Sequence, residues 1–138
     1  MAIQRIPRGI RNNNPGNIRH GDSWKGLTPE QPDPDFCTFS TPEYGIRAMG
    51  VILLNYQRKH GLKTIRQIIT RWAPPSENDT DAYVMHVADR LGVRPDEAVD
   101  VARVLPALVA CIIRHENGQH PYDSATVGRG CDMALGRA

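Results

Sequence analysis

Two stretches of the chain carry residue types suited to chemistry. The first is Glu116, which follows the apolar run Leu108-Val109-Ala110-Cys111-Ile112-Ile113 and precedes Gly118, a natural helix C-terminal cap. That spacing puts a carboxyl group in the last turn of an apolar helix. The helix dipole is negative there and apolar neighbours strip away water, so both effects favour the protonated form a general acid needs. The same position also suits a solvated glutamate at a frayed helix end, paired with Arg114 or His115. The second stretch is Arg11-Asn12-Asn13-Asn14-Pro15-Gly16-Asn17-Ile18-Arg19, with four asparagines in six positions stiffened by proline and glycine. Its amides match the hydroxyl and N-acetyl groups of sugars. Trp24 follows, with a flat face on which a pyranose ring could stack. Against this, asparagines in such a loop also form Asx-turns and tolerate left-handed backbone, and Trp24 suits the core equally.

Other reactive side chains point to no site. The three cysteines, Cys37, Cys111 and Cys131, are far apart and form no C-x-x-C pair. An odd count suggests reduced thiols, and Cys111 within Leu-Val-Ala-Cys-Ile-Ile reads as a small core residue. His115 and His120 lack the partners of a zinc site, so no metal and no cofactor is expected.

The elements that must position these residues divide the chain in two. Residues 1–40 hold five prolines and four glycines, which excludes long helices. There, 17–19 and 23–25 flank His20-Gly21-Asp22 and read as a small β-hairpin. Residues 36–39 alternate large and small as a short strand or extended lead-in. From residue 41 the pattern is helical. Thr41, Pro42 and Glu43 start a helix that Gly61 closes. Thr64 caps a second helix, which Pro74-Pro75 ends. A third runs from about Thr80 to Leu91 before Gly92, and Pro95-Asp96-Glu97 starts a short helical turn. The most apolar helix spans Val101 to Ile113 and should be central and mostly buried. From Asp123 the glycine-rich tail supports a weak helix at best, with Asp123 as its cap. The fold class is therefore mainly α (α+β), with a small N-terminal β-hairpin, in one domain over 1–138.

Composition agrees with a single globular domain. The chain has 138 residues, 40% of them hydrophobic and 23% charged, which excludes disordered and low-complexity classes. Seventeen basic against fifteen acidic residues give a charge of +2, too little to argue nucleic acid. No apolar run reaches the roughly 18–20 residues of a membrane span, and no secretory leader is visible at the N-terminus.

The motifs resemble a known family. R-N-N-N-P-G-N-I-R, then W-K-G, then F-C-T-F-S-T-P-E-Y-G-I-R-A, resembles the loop, strand and helix that follow the catalytic glutamate in bacterial glucosaminidases and related lysozyme-like enzymes. L-V-A-C-I-I-R-H-E-N-G-Q-H-P-Y resembles the apolar helix ending in E-S-G or E-N-G of lytic transglycosylases. The two lie in swapped order, so the chain resembles a circularly permuted lysozyme-like domain whose catalytic helix is C-terminal. The pair is also similar to small virion-associated proteins of tailed phages and prophages. The likeness runs from Arg11 to about Tyr122.

It implies a peptidoglycan glycosidase, lysozyme or lytic transglycosylase, cleaving between N-acetylmuramic acid and N-acetylglucosamine with Glu116 as general acid. A hydrolase adds a second carboxylate, for which Asp22 on the hairpin is the candidate, although a plain turn former explains Asp22 too; Asp123 is a lesser one. Asn13, Asn14, Asn17, Trp24 and Tyr122 would line the sugar groove. The expected partners are peptidoglycan glycan strands and other virion proteins, with no nucleic acid, and the protein would be made in the cytoplasm and act on the wall. A wall-binding virion component without turnover is the alternative. A helix–turn–helix module around Leu91-Gly92-Val93 is disfavoured by Asp79, Asp81, Asp89, Asp96 and Glu97, which would repel phosphates.

Overall fold

A computed structural model describes residues 6–137. Among the described residues, six helices carry the architecture: α1 (Arg8–Arg11), α2 (Pro42–Arg58), α3 (Ile65–Trp72), α4 (Thr80–Leu91), α5 (Val101–Asn117) and α6 (Ser124–Ala134). The fold is mainly helical, and no helix among the described residues is long and apolar enough to cross a membrane. Local chemistry sets most boundaries. Thr41 Oγ1 accepts from the Tyr44 amide with Pro42 at the first helical position, and Thr64 forms a reciprocal capping box with Gln67. Asp79, Asp100 and Asp123 cap α4, α5 and α6 through their side chains. Gly92 and Gly118 end α4 and α5 at φ +70°, where most residues with a Cβ would be strained.

The core draws on α2 to α6 and on the N-terminal loop, the last through Ile18, Cys37 and Phe39. Along α5, Leu105, Leu108, Val109, Ile112 and Ile113 are completely buried. The helix packs on α1, α2, α4 and α6, while Arg103, Pro106 and Ala107 face solvent. Pro106 therefore sits on the outer side of a helix whose inner face is wholly apolar.

Three local expectations need correction. The tail forms an eleven-residue helix, α6, packed along α2. Its small residues permit a close crossing: a Cβ on Gly130 would lie 2.5 Å from Ile46 Cγ2, and one on Gly50 would lie 2.6 Å from Ala134 Cβ. Packing against α2 thus overrides the poor helix propensity of glycine. Second, 17–19 and 23–25 do not pair as a hairpin. Antiparallel bridges join Arg19 to Phe36 and Leu27 to Phe39, so 36–39 pairs with the first segment and with Leu27, just beyond the second. Supporting bonds run from the Cys37 amide to Ile18 O (2.9 Å) and from the Ser40 amide to Gly26 O (2.8 Å). Third, Pro95-Asp96-Glu97 is a turn closed by the Glu97 amide on Arg94 O (3.1 Å), not a helix.

Polar side chains build the N-terminal loop. Asn14 is completely buried, with Nδ2 donating to Ile18 O (3.0 Å) and Cys37 O (2.9 Å) and Oδ1 accepting from the Ile18 amide (3.0 Å). Asn13 is left-handed at φ +51° and donates to Phe39 O (3.1 Å). Asp33 receives the Arg8 guanidinium at 2.5 and 2.6 Å, the Asn12 amide (3.0 Å) and the backbone amides of Asp35 and Phe36. Those donors, Arg8 first, hold the Asp33 carboxyl well below the usual carboxylate range.

Candidate active site

Glu116 lies in the last turn of α5, two residues before the Gly118 cap, and is half-buried. Two donors from different parts of the chain reach its carboxylate. Asn17 Nδ2 lies 3.5 Å from Oε1, and the Tyr83 hydroxyl lies 3.3 Å from Oε2. Asn17 and Glu116 are 99 residues apart in sequence. Tyr83 is completely buried in α4, and the His115 ring stacks on it at 3.6 Å between centroids. Burial, then the Glu116 charge, pushes the Tyr83 phenol far above its ordinary value, so it remains a donor. Burial also holds the His115 imidazole below its ordinary value, with Glu116 opposing.

The neighbouring Asn117 fastens the loop to the end of α5. Its Nδ2 donates to Pro15 O (2.8 Å) across the chain and to Ile113 O (2.9 Å) within the helix. Asn17 takes the left-handed conformation at φ +52°, which asparagine tolerates better than most residues. The amide oxygens of Asn17 and Asn117 both close on Gly9. A Cβ there would lie 2.7 Å from the first, 2.6 Å from the second and 2.8 Å from the backbone oxygen of Asn14, which cannot swing aside, so glycine is required.

Glu116 and Asn17 open onto a cleft of about 430 Å³. Phe36, Tyr56 and Trp72 give it aromatic walls, Asn17 and Asn78 give amides, and Arg19, Glu77 and Glu116 give charges. Aromatic faces with a few convergent polar groups are the usual makeup of a small-ligand site. A pyranose ring stacks its C–H face on such walls while amides meet its hydroxyl and N-acetyl substituents. Among the described residues, no group of three histidine, cysteine or acidic side chains is placed to hold a metal.

The residues singled out from sequence are distributed unevenly about this cleft. Glu116 and Asn17 line it. Asn13 and Asn14 shape the loop behind it through the hydrogen bonds described above. Trp24 is half-buried against the core and is not among the cleft-lining residues. Tyr122 is half-buried, meets the His120 ring edge-on at 5.9 Å, and likewise does not line the cleft. Asp22 is exposed outside the cleft, and Asp123 serves as the α6 cap, accepting from the Thr126 amide at 2.8 Å. Sequence reasoning did not single out Tyr56, Trp72, Glu77, Asn78, Tyr83 or Asn117. One signal for Trp72 was present: an aromatic ending a helix immediately before Ala73-Pro74-Pro75, where the chain must turn and leave the ring at an edge.

No family model matches the chain. It is similar to protein P5 of Pseudoalteromonas phage PM2, at 40% identity over 137 residues, covering 96% of this chain and 85% of that protein. Identity of that extent across nearly the whole chain places it in the family of phage PM2 protein P5.

Proposed function

We propose that this protein is a peptidoglycan glycosidase built on a circularly permuted lysozyme-like scaffold, with Glu116 as its general acid. The observation that carries the reading is the Glu116 carboxylate at the rim of a buried helix, facing an aromatic-walled cleft and held by Asn17 from the far end of the chain. That is where a permuted chain must bring its two motifs together. Glu116 gives its proton to the glycosidic oxygen as the bond to C1 lengthens and oxocarbenium character develops. The Tyr83 hydroxyl and Asn17 amide orient the group, and both stabilise the carboxylate once the proton has left. Trp72 and Tyr56 stack sugar rings, while Asn17 and Asn78 meet the N-acetyl groups.

Kinship with a phage protein supports a place of action at the host wall, carried there with other virion components. The substrate is the glycan strand between N-acetylmuramic acid and N-acetylglucosamine. Zymography on purified peptidoglycan, with the wild type beside Glu116→Gln, tests the assignment. Clearing by the wild type and none by the variant is expected. Wild-type protein that binds the wall without cleaving it would replace this reading with a wall-binding virion component.

A further inference from the structure

We propose that Glu77 is the second carboxylate of the cleft, the general base that activates water, so that the reaction is hydrolysis with inversion at the anomeric carbon. This rests on the reading of the cleft as a glycosidase site. Glu77 and Glu116 line the same cleft from different elements, the corner between α3 and α4 and the end of α5. The corner is shaped by Pro74, whose carbonyl accepts from the Glu77 amide (3.1 Å) and from Asn78 Nδ2 (3.2 Å). Glu77 is exposed at the cleft mouth, and none of the ion pairs among the described residues involves it. Arg19 is the cation lining the cleft, and its guanidinium sits 5.0 Å over the Phe36 ring.

Glu116 is half-buried with donors on both oxygens and Glu77 is exposed, so the two carboxyl groups of the cleft stand in unlike surroundings. Such an arrangement suits two different proton tasks. Glu116 has two fixed donors on its oxygens, as suits a group placed against one atom of the substrate. Glu77 has none, as suits a base that takes its proton from a water.

The step balances. Glu116 gives its proton to the glycosidic oxygen as the bond from C1 to that oxygen breaks, and the bonding pair leaves with the oxygen as a hydroxyl of the departing sugar. A water oxygen bonds to C1 from the opposite face while Glu77 takes one of its protons. One water is consumed, the configuration at C1 is inverted, and exchange of one proton with solvent resets each carboxyl group.

The test uses the full chain on purified peptidoglycan glycan strands, reading product mass and the anomeric proton signal of the first product formed. Wild-type product should be fully hydrated at its new reducing end and should appear first as the inverted anomer. Glu77→Ala and Glu77→Gln should each lose roughly 10²-fold or more in rate with unchanged circular dichroism. Azide should restore turnover to Glu77→Ala, giving the inverted glycosyl azide, a readout that a merely structural role would not produce. An anhydro product one water lighter, a retained anomer, or Glu77 variants within a few-fold of wild type would overturn the proposal while leaving Glu116 as the acid. A wild type that cleaves nothing would overturn both readings together.

Discussion

The two walls of the cleft are held together by different physics. The helical body, α2 to α5, is stabilised by apolar side chains with no exposure at all, such as Ile46, Ile68, Leu108 and Ile112. The N-terminal loop contributes few such residues, and its shape comes from amide side chains bonded to backbone and from the Arg8–Asp33 pair. Asn17 stands on the loop and Glu116 on the body, so the site exists only while both kinds of stabilisation hold. A body of this kind responds to lost volume, whereas the loop responds to lost hydrogen bonds and to protonation.

The largest stability effect is expected in the body. Leu108→Ala removes a completely buried side chain and leaves a cavity, which should cost about 2–5 kcal/mol by urea denaturation. A loss below about 1 kcal/mol would mean that α5 is not the packed centre of the body. In the loop, Asn14→Ala removes three hydrogen bonds made by a completely buried amide. The buried backbone groups left behind should cost about 1–3 kcal/mol. The change should also perturb the amide signals of Ile18 and Cys37 more than those of α5. Equal perturbation of both regions would erase the distinction drawn between them.

Much of the body was legible because its signals are local. Thr41-Pro42, Thr64 and the glycines after α4 and α5 mark boundaries within one turn of where they act. α6 was legible only as a weak helix capped by Asp123, since Gly128 and Gly130 argue against a longer one until the close approach of Gly130 to Ile46 is known. Pairing of 36–39 with both 18–19 and 27 was equally hidden, because register across that distance depends on Asn14 and Asp33 rather than on a turn motif. Within the site, Glu116 and Asn17 stood out by motif and spacing. Trp72, Glu77 and Asn78 did not, because the corner after α3 faces the cleft only through tertiary packing.

Acid should act on the loop before the body. The Asp33 carboxyl is held below its ordinary value in the folded chain, so its contribution is present above about pH 4. It is lost progressively as pH falls below that toward the lower folded value. The protection factors of the Asp35 and Phe36 amides, which divide out the intrinsic pH dependence of exchange, should therefore fall on going from pH 5 to pH 2.5 while the interior of α5 stays protected. Asp33→Asn should remove that pH dependence. Simultaneous loss of protection in loop and body would contradict a separately stabilised loop.

The smallest effect is expected at Asp22. It is exposed and outside the cleft, so Asp22→Asn should change stability by less than about 0.5 kcal/mol. It should also leave glycan cleavage within a few-fold of wild type. A loss approaching that of a Glu116 variant would show that the loop closes over substrate and brings Asp22 to the reacting sugar.

The most direct test of the account is the initial rate of release of soluble glycan from purified peptidoglycan by wild type, Asn17→Ala and Glu116→Gln, with folding followed by circular dichroism. Glu116→Gln keeps the shape of the side chain and removes its transferable proton, so a rate at least about 10²-fold below wild type is expected in a folded protein. Asn17→Ala should fall between the two, since it removes one of the two donors that orient the Glu116 carboxylate. A folded Glu116→Gln variant cleaving within a few-fold of wild type would contradict the claim that the two ends of the chain meet to form one catalytic site.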